Sequence, residues 1–292
     1  MKAHSKKSIL FNKIDIAIGK KLYGNTTGFT QNVNDRKKVL TKVDETMKNA
    51  EPELYSLIKN GFTEFPSQYD ESLIKNLQNK FQSLIEDDAF SFAHSGYKEQ
   101  DFGRIIRDPS KVFPEISKLI TKDVLALVTK YYKTHFTISN IQCGRNYYVP
   151  SEIRKNFETF SNFWHNDKDP VSQFKYFVYL TNVTEKDGPF HAQTKDRTTE
   201  LIKMGFGNRF DYKLSEEILE DPKYLAKMMG PAGTSFFASP PLCLHRAGDP
   251  EKGHFRDLIQ FTFDAFDEPI QENWIDTCPG TPSNIIPKKF EQ

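Results

Sequence analysis

Two side chains in the middle of the sequence are of the types that bind divalent metal ions. His165 and Asp167 are separated by one residue in the segment FWHND at positions 163–167. On a β-strand, alternate residues share a face, so the imidazole and the carboxylate would point the same way and offer two ligands. A His-x-Asp triplet also arises often by chance as a pair of surface residues. The triplet therefore needs further residues before it indicates a site.

Two more residues complete the set. His245 ends the segment GTSFFASPPLCLH at 233–245, which predicts a strand, a proline-marked turn and a second strand. Arg256 lies 11 residues later (256 − 245) and opens the apolar strand Asp257–Phe263. Taken singly, His245 could be a core histidine bonded to the backbone, and Arg256 could reach solvent. An arginine turned inward would instead need a carboxylate partner.

Considered together, the four residues favour redox chemistry at a metal. Two histidines and one carboxylate form a facial triad, which leaves three positions open on a six-coordinate ion and is typical of non-haem iron(II) oxygenases. Two open positions can chelate an α-keto acid, and the third can take dioxygen. The far carboxylate of the keto acid needs a cationic anchor, and Arg256 can provide it.

The surrounding elements predict a fold that is α+β with a mainly β core. A strand at 61–66, a helix that begins at Asp70 or Ser72 and a helix over Phe113–Tyr132 come first. Short strands separated by turn residues follow, and helices before many short strands indicate a β-sandwich or barrel. These strands are predicted at Ile138–Val149, Phe174–Thr181, Pro189–Gln193, Thr234–Phe237, Leu242–Arg246 and Asp257–Phe263. We predict an N-terminal, partly helical extension over 1–57, a single domain over 58–292, and an insertion or lid at about 195–230.

Composition excludes several classes of protein. Forty basic and thirty-nine acidic side chains give a net charge of +1, so electrostatics predicts neither a nucleic-acid nor a membrane partner. The three cysteines are widely spaced and form no CxxC pair, which favours a reducing, cytoplasmic compartment. Lys13 and Asp15 interrupt the N-terminal apolar stretch, which makes a poor signal peptide. No apolar run approaches the roughly 20 residues of a spanning helix.

The order of these motifs resembles the phytanoyl-CoA dioxygenase-like family of 2-oxoglutarate oxygenases. In that family a His-x-Asp triplet opens the core, and a distal histidine precedes an arginine by a similar interval. The segments GF at 61–62, DGPF at 187–190 and GTSFF at 233–237 match further landmarks, so the resemblance covers residues 58 to 266. It implies a double-stranded β-helix, a cupin-like jelly roll, with its core over 138–266.

The resemblance also implies an activity. The cofactors would be Fe(II), held by His165, Asp167 and His245, with 2-oxoglutarate and O2 as co-substrates and Arg256 as the anchor. The reaction would hydroxylate, or otherwise oxidise, an unactivated C–H bond of a small-molecule, carrier-linked or CoA-linked substrate, with release of succinate and CO2. Halogenating relatives lack the carboxylate ligand, so Asp167 disfavours halogenation.

The sequence departs from the family at two places. The text HAQ at 191–193 replaces the usual Pro-Gly-Ser-His, and Ala247 replaces a small hydroxylated residue two positions after the distal histidine. One hydrogen bond to 2-oxoglutarate is then either missing or made by another residue. Asn146 and Tyr148, on the strand before the triplet, are candidates for this contact, and a structural role is the alternative for each.

Other interpretations stay open. The same ligands could hold zinc in a hydrolase, although a hydrolase has no need of the anchor Arg256. A non-catalytic jelly-roll binding or regulatory protein is the other alternative, although an intact triad argues against it. Cys243 is better explained as a small core residue than as a catalytic thiol. His191 is less suitable than His245 as the distal ligand, because no suitably placed arginine strand follows it. A small metabolite is the favoured substrate, because long basic stretches are absent, and the oligomeric state cannot be read.

Overall fold

A computed structural model describes residues 45–66, 69–97, 100–155, 157–167, 169, 172–207 and 214–278. Most of the predicted N-terminal extension, and part of the predicted insertion, lie outside these residues. Within them, the helices are α1 Met47–Ala50, α2 Pro52–Asn60, α3 Glu71–Ile85, α4 Pro109–Val112, α5 Lys122–Tyr132, α6 Ser151–Arg154, α7 Lys195–Lys203, α8 Glu216–Leu219 and α9 Trp274–Thr277. Short 3-10 turns cover Pro114–Leu119 and Glu185–Asp187. No helix in this part of the chain is both long enough and apolar enough to cross a bilayer.

The strands form two antiparallel sheets that face each other. They are β1 Phe62–Phe65, β2 Ser91–Tyr97, β3 Gln100–Ile106, β4 Phe136–Tyr147, β5 Phe174–Tyr179, β6 Phe190–Gln193, β7 Leu225–Met228, β8 Ser235–Ala238, β9 His245–Ala247 and β10 Phe255–Ala265. The large sheet has the order β1-β8-β5-β10-β4-β3-β2, and the small sheet has the order β7-β6-β9. From β4 onward the chain passes repeatedly between the two sheets, which is the winding of a jelly roll. The predicted fold class is confirmed.

Alternation along β5 shows how the sequence builds two cores. Tyr176 and Val178 pack outward into the main core, which the large sheet shares with the N-terminal helices. Phe177 and Tyr179, which alternate with them, pack inward against the small sheet. A strand in the middle of a sheet that is covered on both faces must be apolar on both. This requirement explains why β5 reads as the near-continuous apolar run FKYFVY.

The helical predictions hold for α3 and need correction for the next helix. Residues of α3 at helical spacing are buried, and its predicted start after Asp70 is observed. The single helix predicted over Phe113–Tyr132 is instead a 3-10 turn followed by α5. The break occurs because the Thr121 hydroxyl accepts a hydrogen bond from the Val124 amide at 3.3 Å and caps a new helix there.

The 195–230 region contributes to the sheet as well as to the surface. It contains helices α7 and α8, and also β7, which pairs with β6 in the small sheet. Two further strands, β2 and β3, were not predicted, and they extend the large sheet beyond β4. Their sequences are mixed in polarity and carry no clear alternation. The insertion or lid at 195–230 stays a prediction.

A buried ion pair lies on the outer face of the central strands. Arg145 of β4 and Asp257 of β10 are directly opposite each other in the ladder. Their side chains are joined by two hydrogen bonds, Nε to Oδ1 at 2.6 Å and Nη2 to Oδ2 at 2.7 Å. Because side chains alternate across a strand, this outward pair directs the next residues, Arg256 and Asn146, toward the space between the sheets.

We expect Arg145→Met to lower the free energy of unfolding by about 3–5 kcal/mol, because it leaves the Asp257 carboxylate buried without its partner. Urea denaturation would measure the change. Lys130→Met is the matched control, since Lys130 forms an exposed ion pair with Glu51 and its loss should cost less than about 1 kcal/mol. Equal effects of the two substitutions would contradict a special role for the buried pair.

Candidate metal centre

The three predicted ligands come together at one end of the small sheet. The Asp167 Oδ1 atom lies 3.5 Å from His165 Nε2 and 3.7 Å from His245 Nε2. One ligand atom from each residue falls within 4.8 Å of the other two. The two imidazole rings are 4.2 Å apart between centroids. These separations suit a single ion placed between the three side chains.

Each histidine is oriented by its own backbone neighbourhood. His165 Nδ1 lies 2.7 Å from the Phe163 carbonyl oxygen, and His245 Nδ1 lies 3.0 Å from the Cys243 carbonyl oxygen. A carbonyl only accepts, so in the neutral rings Nδ1 carries the proton and donates it. The Nε2 lone pairs are then free and face Asp167, which is the tautomer that a metal ligand requires.

The predicted strand around His165 is reduced to a single residue pair. His165 and His245 donate backbone hydrogen bonds to each other's carbonyls at 3.0 and 2.9 Å, which makes an isolated bridge beside β9. Asp167 follows in a loop, where its amide donates to the Pro240 carbonyl at 3.2 Å. The two side chains share a direction as expected, although no extended strand carries them.

Burial and charge hold the triad in the protonation state that binds metal. Burial, together with nearby His165, lowers the pKa of His245 to about 3. Burial alone would raise the pKa of Asp167, but His165, His245 and Lys175 outweigh it and hold this pKa well below the usual range. At neutral pH the site therefore contains a carboxylate and a neutral His245 ring.

The triad opens into a cavity of about 210 Å³ between the two sheets. Its floor is the inner face of the large sheet and is formed by polar and apolar residues of β4 and β10. The residues that line this floor are Gln142, Gly144, Asn146, Arg256, Leu258 and Gln260. The candidate ligands and the candidate anchor thus line the same cavity.

Arg256 is the buried cation of this cavity and is only 2 % exposed. Among the residues that the structure describes, its Nε and Nη1 atoms have no hydrogen-bond partner. The adjacent Tyr179 hydroxyl is already used, because it donates to the Met228 carbonyl at 3.0 Å and accepts from the Phe190 amide at 3.1 Å. Two guanidinium nitrogens that are buried without a hydrogen-bond partner are costly, and the ligand that matches the fork of an arginine is a carboxylate.

The remaining predicted site residues separate into two groups. Asn146 lies on the cavity wall and is the direct cross-strand partner of Arg256. Tyr148 lies just beyond the end of β4 and is not among the residues that line the cavity. Cys243 donates to the Asn60 carbonyl at 3.3 Å, and burial raises the pKa of its thiol to about 12, as a core cysteine requires. His191 accepts from Arg246 Nε at 3.3 Å and is not among the lining residues.

Reasoning from the sequence missed several polar residues that line the cavity, among them His94, Gln142, Lys175 and Gln260. Lys175 and Gln260 each interrupt an otherwise apolar strand, and that interruption was a usable signal. His94 could not have been found this way, because the register of β2 with β3 shifts between Ala93 and Ser95, at His94 itself. Such bulges redirect a side chain without leaving a pattern in the sequence.

The buried histidine generates a prediction about pH. His245 has a pKa of about 3 in the folded protein and of about 6.5 in the unfolded chain. Below pH 6.5 the unfolded chain therefore binds a proton that the folded protein does not, and the free energy of unfolding falls as the pH falls. In the presence of EDTA, we expect His245→Gln to make the pH dependence of unfolding shallower by about 1 kcal/mol per pH unit between pH 6 and 5. Urea titrations of both proteins at several pH values would measure this, and identical slopes would contradict it.

Comparisons with known proteins place the fold. No protein-family model matches the chain, and no curated protein sequence matches it. Among solved structures, it is similar to the non-haem alpha-ketoglutarate-dependent epimerase SnoN from nogalamycin biosynthesis, with 11% identity over 76% of this chain and 82% of that one and a TM-score of 0.54. It is also similar to EctD from S. alaskensis with 2-oxoglutarate and 5-hydroxyectoine (16%, 74% and 76%, TM-score 0.53) and to the alpha-ketoglutarate-dependent carbocyclase SnoK (10%, 78% and 90%, TM-score 0.52). Identities this low show the fold alone, which is the jelly roll of these enzymes.

Proposed function

We propose that this protein is an Fe(II)- and 2-oxoglutarate-dependent oxygenase that oxidises an unactivated C–H bond of a small polar molecule. The observation that carries the proposal is one cavity containing both a His-Asp-His cluster and a buried, unpartnered guanidinium. A metal site alone would fit many activities. The added cation matches a co-substrate that binds the metal at one end and ends in a carboxylate at the other.

The residues fit the implied groups in detail. His165 and His245 present Nε2 lone pairs, Asp167 presents a carboxylate oxygen, and the three would hold Fe(II). Arg256 would pair with the far carboxylate of 2-oxoglutarate, with the Asn146 carboxamide beside it. When bound, iron, 2-oxoglutarate and O2 supply the oxidising chemistry, and the keto acid leaves as succinate and CO2.

The rest of the wall controls water and orientation. Phe177 and Phe190 contribute apolar surface near the metal end, and Ala247 sits beside the distal histidine. Such surfaces exclude water and strengthen the attraction between the buried guanidinium and a carboxylate. The protein would thus supply a fixed, dry setting in which one C–H bond is held next to the metal.

The comparisons support the proposed cofactors more strongly than the proposed type of reaction. SnoN has been crystallised with Fe3+ and alpha-ketoglutarate, and EctD with bound Fe and with 2-oxoglutarate. The epimerase and the carbocyclase among these structures show that the fold serves different reactions. Asp167 favours hydroxylation over halogenation here. Membership of the phytanoyl-CoA dioxygenase-like family, and a cytoplasmic location, stay predictions.

Two other interpretations are less well supported. A zinc hydrolase would use the triad but would leave the buried Arg256 without a partner. A non-catalytic jelly-roll protein would not need both imidazoles held with Nε2 toward a carboxylate. The paired tautomers and the open guanidinium together favour the oxygenase.

The cavity favours a polar substrate. Gln142 and Gln260 are direct cross-strand partners on its floor, and no side-chain hydrogen bond of either carboxamide is observed within the described part of the chain. His94 lines the same cavity from β2. Amides that face a cavity need hydrogen-bonding groups on the ligand. The size of the cavity favours a small molecule, or the small end of a carrier-linked or CoA-linked one, over a long acyl chain.

The proposal is tested first by binding. Under anaerobic conditions, we expect Fe(II) and 2-oxoglutarate to produce the weak visible charge-transfer band of a chelated keto acid. The band should vanish in His165→Ala and His245→Ala, while His254→Ala, a histidine outside the cavity, should retain it. Arg256→Met should need about 10- to 100-fold more 2-oxoglutarate, because a charge-assisted pair worth about 1.5–3 kcal/mol is lost. Arg107→Met, also outside the cavity, should behave as wild type. Absence of the band in the wild-type protein would overturn the proposal.

A second experiment tests the substrate class. Succinate release would be followed with iron-loaded protein and two panels of small compounds, one of polyols and amino-acid amides and one of straight-chain fatty acids. We expect stimulation from the first panel only. Gln142→Leu and Gln260→Leu should each raise the KM of a stimulating compound by about 3- to 10-fold, since each removes a hydrogen bond of about 0.5–1.5 kcal/mol. Gln271→Leu, an exposed glutamine, is the control, and stimulation by fatty acids would contradict the polar assignment.

A further inference from the structure

Lys175 is the one charged residue in the apolar strand β5. The strand lies between β8 and β10, and Lys175 pairs with Ala238 on one side and Thr262 on the other, so its backbone is fixed on both edges. Its side chain is only 16 % exposed and turns into the cavity beside the metal cluster. A half-buried ammonium at this place needs a specific partner.

That partner is one oxygen of a candidate metal ligand. Lys175 Nζ donates to Asp167 Oδ2 at 2.6 Å. The other oxygen of the same carboxylate, Oδ1, is the atom that lies 3.5 and 3.7 Å from the two histidine Nε2 atoms. Oδ1 therefore faces the two histidines, whereas Oδ2 accepts a hydrogen bond from Lys175.

We propose that Lys175 is a positioning residue that keeps Asp167 a one-oxygen metal ligand. A carboxylate can bind a cation through one oxygen or through both. Binding through both would occupy two positions and leave only two open on a six-coordinate ion. With Oδ2 held by Lys175, three positions stay open, as a chelating keto acid and dioxygen together require. The need for three open positions rests on the proposed function. The contact between Lys175 and Asp167 is observed independently of that function.

The other carboxylates in this region do not replace Asp167 as the hydrogen-bond partner of Lys175. Asp169 interacts through its charge with Lys175 and Asp167, and also with Asp264. Asp264 is engaged elsewhere, because it accepts from Gln173 Nε2 at 3.2 Å and from the Ser139 hydroxyl. Asp169 is exposed and interacts with Lys175 only through its charge. The short hydrogen bond to Asp167 therefore determines where the ammonium rests.

The test compares Lys175→Met with Lys175→Arg, which keeps a donor and a charge. Calorimetry with Mn(II) should show that Lys175→Met binds metal at least as tightly as wild type, since a competing cation has been removed. The same variant should need about 10-fold more 2-oxoglutarate to form half of the Fe(II) charge-transfer band. Lys175→Arg should stay within about 3-fold of wild type in both measurements.

Crystal structures with Mn(II) provide a readout that charge alone cannot mimic. We expect one Asp167 oxygen on the metal in wild type and both oxygens in Lys175→Met. One-oxygen ligation in the variant, or unchanged 2-oxoglutarate binding, would overturn the inference. If Lys175→Met does not fold, Lys175→Leu, which also has no donor, gives the same comparison. Failure of the proposed function would look different: wild type would show no charge-transfer band, while the Mn(II) structures would still report how Asp167 binds.

Discussion

The position of β10 between β4 and β5 is the constraint on which the rest of the site depends. The strand β10 pairs with β4 over eleven residue pairs. The register shifts once, between Thr262 and Phe263, beyond the residues of β10 that line the cavity. A slip of one residue would exchange the two faces and place the Asp257 carboxylate inside and the Arg256 guanidinium outside. The outward ion pair between Arg145 and Asp257 opposes such a slip. The anchor of the cavity is therefore held in place by a contact on the opposite side of the sheet.

The two sheets contribute different residues to the cavity. The large sheet supplies a rigid floor with the anchoring cation and the carboxamides, and it is supported from behind by the helices of the main core. The small sheet supplies His245 and, through the bridge beside β9, His165. A ligand that binds the metal at one end and Arg256 at the other would contact both sheets. Such a ligand would stabilise the spacing between them, as any ligand specific for the folded state does.

Much of this arrangement could be predicted from the sequence, and the reasons for the failures are physical. Of the strands from β4 onward, all but β7 were predicted, because runs of β-branched and aromatic residues between turn residues mark them. The four chemical residues were visible because their types and order are restrictive. The break between the 3-10 turn and α5 was missed because Thr121 can equally sit inside or cap a helix. The edge strand β2 and its neighbour β3 were missed because their sequences are mixed in polarity and carry no clear alternation. Lys175 and Gln260 mark themselves by interrupting apolar stretches, but the partners that they meet in the cavity come from other strands and could not be predicted.

The reciprocal backbone hydrogen bonds of His165 and His245 have a consequence for how this protein can change over evolution. The two ligands are 80 positions apart (245 − 165), and the connections on both sides of the bridge are irregular. Because the ligand backbones are bonded to each other, their spacing does not depend on the lengths or conformations of those connections. Insertions and deletions in the loops can then reshape the entrance and alter which molecules are admitted, while the metal geometry is inherited unchanged.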